Sequence, residues 1–94
     1  MIVELSVDEK EFIIKLLQKT SVQRILDHLQ STSTVHPDHK DFIECELTIN
    51  ELEDLVGELT YEANHNRKKS TAMQAYDIAD GLENQLRWAQ NDGV

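Results

Sequence analysis

The sequence predicts a mainly α fold, a small helical bundle of three to four helices with a minor two-stranded β ribbon at about residues 2–5 and 43–47. Three observations predict it. Apolar residues recur at helical spacing through most of the chain. Two stretches, Ser6-x-x-Glu9 and Thr48-x-x-Glu51, have the form of a capping box, in which each side chain satisfies an orphan backbone N–H. A short run of alternating apolar residues precedes each box.

The first run, Ile2 to Leu5, places Val3 and Leu5 on one face of a strand. Ser6 then caps a helix whose apolar stripe is Phe12, Ile13, Leu16 and Leu17, widened by Ile14. Beyond Lys19 the phase changes. Val22, Ile25, Leu26 and Leu29 fall nearly opposite the first stripe on an unbroken helix, which would then need partners on all sides. A break near Thr20-Ser21 removes the conflict, with Ser21 as the expected cap of a second helix ending near Gln30. Ser31 to Lys40 reads as a loop, from its Ser/Thr cluster and the chain's one proline, Pro37. The second strand follows, with Ile43, Cys45 and Leu47 alternating against Glu44 and Glu46.

The segment Cys45 to Asn66 carries the most information. Thr48 caps its helix, and acids in the first turns suit the positive end of the macrodipole. Ile49, Leu52, Leu55, Val56, Leu59 and Ala63 share an arc of roughly 120° at the helical step of about 100° per residue. Glu51, Asp54, Glu58, Glu62 and His65 share a second arc of roughly 80° beside it. Gly57 is an interior glycine, kept either for close helix approach or simply tolerated. Asn64-His65-Asn66 signals the end, since asparagine accepts the left-handed conformation. The last helix spans about Ser70 to Gln90, with Ser70 or Asn66 as cap. Its wide arc holds Ala72, Ala75, Tyr76, Ile78, Ala79, Leu82, Leu86 and Ala89, while Met73, Gly81 and Trp88 lie on the other side.

Val3-Glu4-Leu5-Ser6-Val7-Asp8-Glu9 matches Cys45-Glu46-Leu47-Thr48-Ile49-Asn50-Glu51 in character, position by position. Each is a strand end, a capping hydroxyl and a helix start. Either duplication or a common local grammar produces such a match. In both cases the two strands are natural pairing partners.

Ninety-four residues suit one domain, residues 1–94. The core is modest at this size, so association with a second copy would add burial, and a homo-oligomer is expected. The net charge of −9 argues against a nucleic-acid binder and for partners with a basic surface. Arg67-Lys68-Lys69 is a short basic cluster, suited to the negative end of the preceding helix. One cysteine gives no internal disulfide and no cysteine-rich zinc site. The first residues lack the pattern of a signal peptide, and no apolar run approaches the roughly 20 residues of a membrane span. A cytoplasmic protein is expected.

No nucleophile elbow or phosphate-cradling glycine loop is present, and the three glycines are scattered. The expected function is therefore a non-enzymatic interaction or regulatory module that self-associates. Its expected partner-binding residues are Asp54, Glu58 and Glu62 on the acidic arc, with Met73 and Trp88 on the last helix. No cofactor is required by this reading. The alternative is a divalent-metal-binding protein, with Glu58, Glu62 and His65 as ligands on one helix face. His36, Asp38 and His39 form a second His/Asp grouping on the loop. The bland alternative for the acidic arc is a solvated face screened by salt.

Overall fold

The computed structural model describes residues 1–92. Helix dominates, in four segments, and a small antiparallel sheet accompanies it. The chain divides into two compact units, Met1–Thr48 and a second beginning at Ile49.

The first unit contains β1 (Ile2–Ser6), α1 (Val7–Leu17), α2 (Gln23–Thr32), β2 (Thr34–Val35) and β3 (Phe42–Glu46). β1 and β3 pair antiparallel, as their shared pattern suggests, with Val3 opposite Cys45 and Glu4 opposite Glu44. The expected two-stranded ribbon is in fact a three-stranded sheet in the order β1-β3-β2. The third strand lies inside the segment read as a loop. It is only two residues long, and two residues carry no visible alternation. Val3, Leu5, Ile43 and Cys45 are buried on one face of the sheet, toward α1 and α2. Ile2, Glu4 and Glu46 lie on the other face and are exposed, with Glu44 half-buried between them.

Ser6 forms the full capping box of α1. Its amide donates to Glu9 Oε1 at 2.8 Å, and its hydroxyl accepts from the Glu9 amide at 3.0 Å. The break between α1 and α2 falls where the phase switch puts it, but Ser21 does not cap α2. Val22 occupies the N-cap without a side-chain bond. Thr20 makes the turn instead. Its hydroxyl donates to the Leu17 carbonyl at 2.6 Å and accepts from the Val22 amide at 3.4 Å. Lys19 takes a left-handed φ of 64°, which reverses the chain after α1, and its amide donates to Gln23 Oε1 at 2.9 Å. The reversal lets both stripes face one core: Ile13 and Leu17 are buried from α1, and Val22, Ile25, Leu26 and Leu29 from the turn and α2.

The second unit pairs α3 (Ile49–His65) with α4 (Lys69–Asp92). Thr48 precedes α3, in the cap position expected of it. Leu52, Leu55, Leu59 and Ala63 are buried, as are Ala75, Ile78, Ala79, Leu82 and Leu86. The edges of the arcs depart from expectation, with Ile49 exposed and Val56 half-buried. In the connection, the Asn66 side chain accepts from the Lys68 amide at 2.9 Å. Two side-chain bonds tie the helices together near opposite ends of the pair. The Tyr76 hydroxyl donates to Asn64 Oδ1, and Gln90 Nε2 donates to Glu53 Oε1 at 3.2 Å. A methyl group added at Gly57 or Gly81 would meet nothing within 4 Å, so neither glycine serves a close helix approach.

Candidate functional site

On the acidic arc of α3, Asp54 is exposed and Glu58 and Glu62 are half-buried. His65 packs on Tyr61. Its ring stacks on Tyr61 one turn earlier, with centroids 4.1 Å apart. Its Nδ1 lies 2.8 Å from the Tyr61 carbonyl, and since a carbonyl only accepts, Nδ1 carries the proton. Glu58, Glu62 and His65 share the helix side that their spacing implies. Among the described residues, however, their donor atoms do not form a trio within 4.8 Å of one another.

Such a trio forms elsewhere, from Glu4, His36 and Glu44. Glu4 comes from β1 and Glu44 from the opposite position on β3. His36 follows β2, where its amide donates to the Phe42 carbonyl at 3.0 Å. His36 Nε2 lies 3.6 Å from Glu4 Oε1 and 3.5 Å from Glu44 Oε1. The ring is fixed on its other side, where Nδ1 accepts the Asp38 amide at 3.1 Å. Its centroid is 5.3 Å from that of His39, which in turn meets Phe42 edge-on at 5.9 Å. The His36, Asp38 and His39 grouping is thus a folded turn in which Asp38 contributes its backbone N–H. Sequence spacing relates His36 to its loop neighbours. The cross-strand register that joins it to Glu4 and Glu44 is not visible in that spacing.

Met73 and Trp88 are exposed on the side of α4 away from its buried stripe. They stand fifteen residues apart, about 22 Å along a helix, so they are two anchor points rather than one patch. Trp88 borders a groove of about 190 Å³ lined also by Asn84, Arg87 and Asn91. That is smaller than the roughly 300 Å³ at which small-molecule pockets begin. Arg87 is held by Glu83 one turn earlier at 3.1 Å.

The chain has five aromatic residues, and four of them, Phe42, Tyr61, Tyr76 and Trp88, are exposed. The buried core is aliphatic apart from Cys45. No buried charged side chain occurs among the described residues. Burial pushes the Cys45 thiol up to about 11, with the charge of Lys10 offsetting part of the rise. It is therefore a packed thiol and not a thiolate nucleophile at neutral pH. No helix is long and apolar enough to cross a membrane among the described residues. Compared with protein-family models, with curated proteins and with solved structures, the chain matches none of them.

Proposed function

We propose that this protein is a small, acidic, non-enzymatic interaction module that self-associates and engages a protein partner with a basic surface. The observation that carries the reading is where the aromatics lie. A chain with so few aromatic residues gains most from burying them, because each contributes a large apolar area. Here both tyrosines and the tryptophan face solvent. Tyr and Trp are the residue types enriched at interface hot spots. The acidic arc of Asp54, Glu58 and Glu62 supplies charge complementarity, which steers association and selects partners. Met73 and Trp88 supply apolar anchors on α4.

The test is quantitative affinity capture at physiological salt, comparing wild type with Trp88→Ala and with Glu58→Gln/Glu62→Gln. A specific partner should be enriched by wild type and reduced by both variants, with unchanged circular dichroism. The acidic-arc effect should shrink at high salt. A capture profile identical for all three proteins would refute the reading. Sedimentation equilibrium tests self-association separately, and a monomer at high micromolar concentration would remove that part.

A further inference from the structure

We propose that Glu4, His36 and Glu44 form a binding site for a divalent transition-metal ion of the zinc type, on the outer face of the sheet. The argument begins with register. Met1 and Leu47 exchange both backbone hydrogen bonds, at 2.8 and 3.0 Å, and Val7 donates to Asp41 at 2.9 Å. Alternation then makes Glu4 and Glu44 a non-hydrogen-bonded pair, the class in which side chains stand closest. Like charges directly opposite one another destabilise a sheet. A cation between the two carboxylates reverses the sign of that interaction.

His36 adds a donor of a different kind. Two carboxylates alone suit a hard ion, while an imidazole nitrogen among them favours a transition metal. Zinc holds nitrogen and carboxylate ligands at about 2.0–2.2 Å, so neighbouring donors of a tetrahedral site stand about 3.3 Å apart. The separations from His36 Nε2 to the two carboxylates, 3.6 and 3.5 Å, are already close to that spacing. The imidazole is held by strand, turn and ring contacts, with only 14% of the side chain exposed. Glu4 is the more exposed of the two carboxylates. Three protein donors leave a fourth position for water or for a donor from another molecule.

Metal binding requires one rearrangement. Nδ1 accepts the Asp38 N–H, so the proton of a neutral ring is on Nε2, pointing at the carboxylates. An ion at Nε2 takes the lone pair there, the ring proton moves to Nδ1, and the Asp38 amide is released. No net proton leaves in this exchange. The Asp38 amide therefore reports on occupancy.

The experiment strips the full chain with chelator and titrates it with zinc chloride at one fixed pH, read by calorimetry and by thermal melting. Wild type should bind one ion and melt at higher temperature. Glu44→Gln and His36→Asn should each weaken binding about tenfold or more, as expected for loss of one of three ligands. In chelator, Glu44→Gln should melt at or above wild type, because it relieves the opposed charges. That keeps the test valid against simple misfolding. Nitrogen-15 NMR should show the His36 proton moving from Nε2 to Nδ1 and the Asp38 amide shifting with it. No saturable binding below millimolar zinc overturns the proposal. So does a melting response that Glu44→Gln retains, or one lost in His65→Asn but kept in His36→Asn.

Discussion

Val3 and Cys45, 42 positions apart in sequence, face each other across β1 and β3, and the Cys45 thiol donates to the Val3 carbonyl at 3.6 Å. The same two residues open the two copies of the strand-cap-helix pattern. Their pair is the single point where equivalence along the sequence coincides with antiparallel pairing in space. Away from it the two relationships diverge, since Glu4 is equivalent to Glu46 but pairs with Glu44.

The first prediction concerns that thiol. Burial raises it from 9.0 to about 11, so the unfolded chain loses its thiol proton at lower pH than the folded one. Between those values the unfolded state binds fewer protons, and stability falls as pH rises. The contribution is fully present below pH 9 and is lost on approaching pH 11, a change on the order of 2–3 kcal/mol. Urea unfolding of wild type and Cys45→Ala at pH 8 and pH 10.5 isolates it from other groups that titrate there. The wild type should lose more stability between the two pH values than the variant. A thiol reagent should also react far faster after unfolding.

The second prediction separates Thr20 from Ser21. Thr20 bonds to Leu17 and Val22 in the turn, whereas the expected cap at Ser21 is not used. Thr20→Ala should destabilise by about 1 kcal/mol, the usual size for a lost local cap. Ser21→Ala should stay within about 0.5 kcal/mol of wild type. Equal effects in denaturant titration would show that the turn is held by something else.

Much of this fold is legible in sequence because its decisions are local. The stripe shift after Lys19 announces the break, and Ser6 with Glu9 announces the first helix. What stays hidden depends on pairing. Nothing in Thr34-Val35 distinguishes a strand from a loop until β3 lies beside it. Glu4, His36 and Glu44 become neighbours only through the register of three strands, while Glu58, Glu62 and His65 advertise themselves by helical spacing. The same spacing cannot show that His65 will spend its ring on Tyr61. The division after Thr48 is invisible for a related reason: only Leu47 and Thr48 separate β3 from α3, without a glycine- or proline-rich linker.

The third prediction uses the interior glycines. Gly57 and Gly81 sit within α3 and α4 with open space where a methyl group would project. Neither has a positive φ, so alanine fits the backbone. Gly57→Ala and Gly81→Ala should each stabilise by about 0.5–1 kcal/mol through helix propensity and reduced freedom of the unfolded chain. Melting temperatures of the two variants check this directly. A loss of stability in either would reveal a neighbour at that helix face in solution.

The last prediction tests the two faces of the second unit against each other. Asp54, Glu58 and Glu62 are successive i,i+4 acids on α3, a spacing at which like charges cost about 0.2–0.5 kcal/mol per pair. For the isolated protein, Glu58→Gln should therefore be neutral or slightly stabilising. Trp88, at 71% exposure, touches too little of its own chain for Trp88→Ala to cost what a core residue would, and its effect should stay below about 1 kcal/mol. Both variants should thus fold as well as wild type while binding partner less well. The mechanisms differ, and kinetics separate them. Removing a peripheral charge lowers the association rate and its salt dependence. Removing an apolar anchor raises the dissociation rate. Surface plasmon resonance with the captured partner should show that split. Loss of stability in both variants, with binding unchanged, would assign these residues to the fold and leave the surface of the second unit without the role proposed for it.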